Sequence, residues 1–107
     1  MDLTHFQGRG LVAKPVDNQS VPAGQTYNSA SIITAAVKRV RIWYKTKGTL
    51  SSAKLQGSFD GTTWYDIDTL NGGVNAIEEI AEPYVRITVT NSGGTAETNE
   101  VWIFLQI

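Results

Sequence analysis

The chain predicts an all-β fold, a single-domain antiparallel β-sandwich of about six to eight strands. Three observations carry that expectation. Short runs alternate apolar with polar residues along most of the sequence, turn-forming clusters recur between them, and no segment shows a helical period long enough to stand alone. With 107 residues the chain has the size of one domain, large enough to bury a core without disulfide or metal staples.

Residues 1–10, ending Gly8-Arg9-Gly10, read as an N-terminal arm or a short edge strand, leaving 11–107 as the sandwich. Leu11-Val12-Ala13 predicts a first strand stopped by Pro15, whose missing N–H interrupts a ladder. Asp17-Asn18-Gln19-Ser20 and Pro22-Ala23-Gly24 are turn material. Residues 26–33 predict a weaker strand anchored by Tyr27, and 33–37 has the propensity for a helical turn but not the length for a helix. Over 38–46 the alternation is clear: Val40, Ile42 and Tyr44 point one way, Arg39, Arg41, Trp43 and Lys45 the other.

Residues 51–59 and 63–68 predict the arms of a hairpin closed by Asp60-Gly61, with Leu55, Gly57 and Phe59 facing opposite to Lys54, Gln56 and Ser58. Asn71-Gly72-Gly73 is a loop before a short strand over 74–80. Residues 84–91 set Val85, Ile87 and Val89 on one face, and Ser92-Gly93-Gly94-Thr95 signals a turn. The final strand, 100–107, places Val101, Ile103, Leu105 and Ile107 on an apolar face and Trp102 and Phe104 on the other.

The charge balance restricts function. A net charge of −1 and a pI near 5.7 argue against a dedicated nucleic-acid binder driven by counterion release. The signs are separated, however: Lys38, Arg39, Arg41, Lys45 and Lys47 cluster, while Glu78, Glu79, Glu82, Glu97 and Glu100 lie later. Separated signs attract further copies or a charged partner. Without cysteine there is no disulfide and no thiolate metal site. No apolar run is long enough to span a membrane, and the first residues lack the basic and apolar regions of a signal peptide. The expectation is synthesis in the cytoplasm, no general secretory export and no membrane partner.

Few residues offer chemistry. His5 stands in the arm without a nucleophile or a second ligand nearby, and a triad needs a held base and an orienting partner. Asp66 and Asp68, two apart on a strand, share a face on a regular pleat, but calcium wants six to eight oxygens and no ligand loop surrounds them. There is no phosphate-binding glycine loop, no H-E-x-x-H and no C-x-x-C. The chain is expected to be no enzyme and to carry no cofactor or metal. Asp60 and Gly61 read as turn devices, and Trp64 as a lid over the end of the core with a wet indole edge.

Trp43, Trp102 and Phe104 are different, because they alternate with core-facing positions. Such rings each bury roughly 150–250 Å². At about 25 cal/mol per Å², covering three is worth on the order of 10 kcal/mol gross. Their cover is either intramolecular (the second sheet, or residues 1–24 folded over) or another subunit.

The turn Ser58-Phe59-Asp60-Gly61-Thr62-Thr63-Trp64, followed by the strand Pro83-Tyr84-Val85-Arg86-Ile87, resembles two groups. One is the core of galactose-binding-like (discoidin-type) jelly rolls, and the other the small β-sandwich proteins of tailed-bacteriophage particles. The resemblance covers about residues 20–107 and implies a jelly-roll-like sandwich. In discoidin-type families the matching turn is structural and variable loops contact ligand, so no binding role is carried onto Asp60, Gly61 or Trp64. This chain is shorter than those families, so some of their peripheral strands and ligand loops are missing.

The phage resemblance implies a non-catalytic structural virion protein, a capsid-decoration, tail, neck or fibre component. It would act by self-association, a trimer or larger ring, and by docking to other virion proteins. Trp43, Trp102, Phe104 and, from the arm, Phe6 are the candidate interface residues. The other resemblance implies a carbohydrate-binding module stacking a cell-surface glycan on Trp43, Trp64 or Tyr65.

Overall fold

Two-residue periodicity decides the architecture, because each alternating segment has one face to bury and only another such face to bury it against. The computed structural model describes residues 10–34, 39–78 and 80–106. Among these the chain forms nine strands: β1 (Gly10–Val21), β2 (Thr26–Asn28), β3 (Ile32–Ile33), β4 (Arg39–Thr46), β5 (Ser51–Ser58), β6 (Tyr65–Leu70), β7 (Gly73–Glu78), β8 (Tyr84–Asn91) and β9 (Glu97–Gln106). They make two antiparallel sheets. One is four-stranded in the order β1-β9-β4-β7; the other runs β2-β8-β5-β6, with β3 also on β8.

The pairings nest. β5 pairs β6, β4 pairs β7, β2 and β3 pair β8, and β1 pairs β9, so the first half of the chain meets the second in reverse order. This long ribbon is rolled until β9 also meets β4 and β8 meets β5. That is a jelly roll, as the sequence predicts. The core lies between the sheets: Val40, Ile42, Tyr44, Val101, Ile103 and Leu105 from one, Ala53, Leu55, Val85, Ile87 and Val89 from the other.

Several elements differ from expectation, each for a local reason. β1 runs past Pro15 and the 17–20 segment to Val21. It is an edge strand, where a missing N–H is tolerated, and its register shifts between Ala13 and Val16 and again between Val16 and Gln19. Asn18, at φ 47°, takes the left-handed conformation inside the second irregularity. The strand expected over 26–33 divides at Ser29. There the backbone N–H still donates to Ile87 O (2.8 Å), but the Ser29 hydroxyl, in place of backbone, accepts from Ile87 N (2.9 Å). Part of the expected helical turn, residues 35–37, lies outside the described residues, as does the 1–9 stretch of the expected arm; Gly10 already belongs to β1.

The β5–β6 hairpin forms as predicted around Asp60. Its carboxylate accepts from Thr62 N and Thr63 N (both 2.8 Å) and from Ser58 Oγ (3.0 Å), while Gly61 takes φ 81° and donates its N–H to Ser58 Oγ. Phe59 is not core but 65% exposed, because the inward alternation ends with the strand. A bulge in β6 sets Asp66 opposite outward Gln56 and Asp68 opposite inward Leu55, so the two carboxylates do not share a face. Trp64 does not cap the core. It lies under the Arg86 guanidinium (4.4 Å), on the outer face of the five-stranded sheet.

Two buried asparagines close one end of the sandwich, on either side of the β8–β9 turn. Asn91 donates to Val21 O (2.9 Å) and Thr95 O (2.8 Å) and accepts from Gly93 N (2.9 Å). Asn99 accepts from the Tyr44 hydroxyl (2.9 Å) and donates to Ser51 Oγ (3.2 Å), which in turn donates to Glu97 Oε1 (2.6 Å). The Glu97 carboxylate also accepts from Thr49 N and Leu50 N, pinning the β4–β5 loop. No buried side-chain nitrogen or oxygen among the described residues lacks a partner. A Cβ at Gly48 would collide with that carboxylate.

Leu55→Ala, in the middle of β5 with no exposure, is expected to cost about 2–5 kcal/mol in denaturant unfolding. Backbone N–H groups hold the Asp60 carboxyl far below the usual carboxylate range, as Ser51 holds that of Glu97 below it. Depressed carboxyls contribute stability above their unfolded value near pH 4, and that contribution is lost progressively as pH falls from there through the lower folded-state value. Thermal melts should therefore show Asp60→Asn several degrees less stable than the parent at pH 7, with the gap closing as the pH is lowered below about 4.

Candidate interaction face

Because β4 and β9 are the two inner strands of the four-stranded sheet, the positions between their core residues must point out of the sandwich. Register assembles these into rows across the sheet. Trp43 has Trp102 opposite on β9 and Val74 opposite on β7. Arg41 stands between Phe104 and Ala76, with Val12 of β1 beyond Phe104. Arg39 stands between Gln106 and Glu78, and Lys45 faces Glu100. Trp43 is 47% exposed and Val74 68%, so an aromatic-apolar row crosses an open sheet face.

The structure thus brings together three of the four expected interface residues, Trp43, Trp102 and Phe104, with their faces as the alternation assigned them. The second sheet does not cover them. Phe6 lies outside the described residues. Trp102 takes an intramolecular cover from within residues 1–24, one of the covers the sequence allowed: the Lys14 ammonium of β1 sits 4.8 Å over its ring, and its indole N–H donates to Glu100 Oε1 (2.8 Å). Lys14 also pairs with Glu100 (2.8 Å) and Asp17 (2.9 Å). Lys14 and the indole N–H hold the Glu100 carboxyl below its ordinary value, and the two carboxylates hold the Lys14 ammonium above its own.

Beside the row is an open hollow of about 390 Å³. Among the described residues its outward walls are Arg39, Arg41, Ala76, Phe104 and Gln106, over the backbone of Val40 and Ile77. The small side chain of Ala76, level with Arg41, leaves the space.

The other sheet presents a different surface. Arg86 donates to Gln56 (2.9 Å), Gln56 to Asp66 (2.9 Å), and Lys54 pairs with Asp66 (3.1 Å), a polar lattice over β8, β5 and β6. At its end Phe59 stacks on Tyr65, ring centres 6.2 Å apart. The Tyr65 hydroxyl donates to the Glu82 carboxylate; desolvation and that carboxylate push the phenol up to about 12. The rings expected for a glycan platform are therefore divided, Trp43 on one sheet and Trp64 and Tyr65 on the other, with the Trp64 ring under Arg86. His5 lies outside the described residues, and among the described residues no group of three or more His, Cys, Asp or Glu is placed to hold a metal ion.

No protein-family model matches the chain, and no curated protein matches it by sequence. Solved structures do match in fold. The PBSX exported protein XepA, which is phage-derived, superposes with a TM-score of 0.69 at 14% identity over 94% of this chain. The chain spans only 38% of XepA's length. PliG of Aeromonas hydrophila, a periplasmic inhibitor of g-type lysozyme, superposes with a TM-score of 0.61 at 11% identity, covering 92% of this chain and 88% of PliG. These likenesses establish a shared β-rich fold.

With Trp43 and Trp64 changed to Phe, Trp102 is the sole indole of the three in the chain. In that background Lys14→Ala is expected to raise acrylamide quenching of Trp102. Unchanged quenching would show that Lys14 does not shield the ring.

Proposed function

We propose that this chain is a non-catalytic structural protein of a tailed-phage particle, a capsid-decoration, tail, neck or fibre component. It works by associating with its own copies and docking to other virion proteins. The row Trp102–Trp43–Val74 carries the reading. Exposed tryptophan beside arginine on an open sheet face is the composition of interface cores rather than of ordinary solvated surface. The fold likeness to a phage-derived protein is in keeping with it, as is the jelly roll itself, common in viral capsids, though both are analogies of fold. In this reading Trp43 is buried between copies in a closed homo-oligomer, a trimer or larger ring, within the virion. No cofactor, nucleic acid or membrane takes part.

One observation favours a second reading, a carbohydrate-binding module of galactose-binding-like type. The stacked pair Phe59 and Tyr65, 65% and 40% exposed, offers rings beside the Glu82 carboxylate, as sugar faces and hydroxyls require. Saturable binding of cell-wall polysaccharide, lost in Tyr65→Ala, would favour it over the first.

Sedimentation velocity over a concentration series tests the main reading. The parent chain is expected to associate as concentration rises, and Trp43→Ala to remain monomeric with an unchanged circular dichroism spectrum. A parent chain that stays monomeric throughout, with Trp43 freely quenched, overturns self-association through this face.

A further inference from the structure

We infer that the hollow beside Arg41 receives an acidic segment of a different protein, its carboxylate held by Arg39 and Arg41 and its apolar part set against Ala76 and Phe104. The inference rests on the outer face of the four-stranded sheet being an interaction surface, and it names the chemistry of one partner.

The argument begins with geometry. Arg39 and Arg41 are two residues apart on β4, on the same side, roughly 6.6–6.8 Å apart along the strand. Two guanidinium forks at that spacing suit one carboxylate, which accepts paired N–H donors in its own plane. Phe104 and Ala76 stand on either side of Arg41, and Gln106 beside Arg39 adds an amide. The volume, about 390 Å³, accommodates a side chain and its neighbour and lies within the range of ligand pockets.

The charges identify the occupant. Lys14 and Lys54 are held in ion pairs, and Arg86 is bonded to Gln56. Arg39, Arg41 and Lys47 have no ion pair among the described residues, while Lys45 faces Glu100 and helps hold its carboxyl down. The acids whose side chains are described are engaged, Asp17, Asp66 and Glu100 by lysine and Asp60, Glu82 and Glu97 by hydrogen bonds. Asp68, on the edge strand of the opposite sheet, has no such partner. Among the described residues a second copy thus brings one unengaged carboxylate to three unengaged cations, which favours a partner richer in acid for the hollow itself. Nucleic acid is disfavoured, since the chain is −1 overall and phosphate backbones are held by many cations at once. An acidic protein segment satisfies both the arginines and the apolar wall.

Fluorescence polarisation tests the inference with a short labelled peptide of alternating Glu and Leu, a Lys/Leu peptide of the same length, and labelled oligothymidine. The parent chain is expected to bind the Glu/Leu peptide saturably and neither of the others. Arg39→Ala and Arg41→Ala should each weaken binding about ten-fold or more, the loss expected for a charge-assisted hydrogen bond. Ala76→Leu fills the hollow while keeping every charge and should abolish binding, with the fold checked by circular dichroism. Absence of saturable binding, undiminished binding by Ala76→Leu or Arg41→Ala, or equal or tighter binding of oligothymidine each overturns it. Self-association read by sedimentation is independent: if it persists while the peptide fails, only the role of the hollow is lost.

Discussion

Two facing combs of aliphatic side chains govern this molecule. Val40 and Ile42 of β4 with Val101, Ile103 and Leu105 of β9 must meet Leu55 of β5 and Val85, Ile87 and Val89 of β8 across the interior. Because a strand's period is two, a one-residue slip in any of these pairings would send a whole comb to solvent. The same rule fixes what faces outward. Trp43, Trp102 and Phe104 lie on the outside because their neighbours cannot, and the β4·β9 register then sets Trp43 against Trp102 and Arg41 against Phe104. The external face is the mirror of the core, and its composition is where the sequence was free to do something else.

Polar groups specify one end that the combs leave undefined. Asn91 and Asn99 occupy inward positions in phase with aliphatic neighbours, and both are fully buried. Left unbonded, each would cost the desolvation of an amide; here each is satisfied by a partner from a distant part of the chain. They therefore fix how β1 and the β4–β5 loop close onto β8 and β9, which apolar contact alone, being non-directional, would leave loose.

Much of this was legible in the sequence, and the rest was hidden for physical reasons. The strands of β4, β5, β8 and β9 and the Asp60 turn are local patterns, so residue order suffices to read them. β1 outruns its expected stop because proline signals a break wherever it stands, while its tolerance at a sheet edge depends on a topology no local window contains. The division at Ser29 turns on one hydroxyl replacing a backbone acceptor. The bulge that parts Asp66 from Asp68 likewise leaves no mark in alternation. The face itself was visible in Trp43, Trp102 and Phe104, but the hollow was not, because it needs Ala76 beside Arg41 on a strand that lies far off in sequence. A signal for the buried polar seams was present in Asn91 and Asn99, each in phase with aliphatic neighbours.

The order in which the strands pair has a consequence for how the protein comes into being. Among the described residues β1 pairs only with β9, and β2 and β3 only with β8. A nascent chain emerging from the ribosome can zip β5 to β6 and β4 to β7 early, yet β1, β2 and β3 must wait, unpaired, for β8 and β9 to be made. Contacts so distant in sequence fold slowly. During that wait exposed strand edges invite wrong partners, so synthesis of many copies at once places this chain at risk of tangling unless the interval is short or another molecule shelters it.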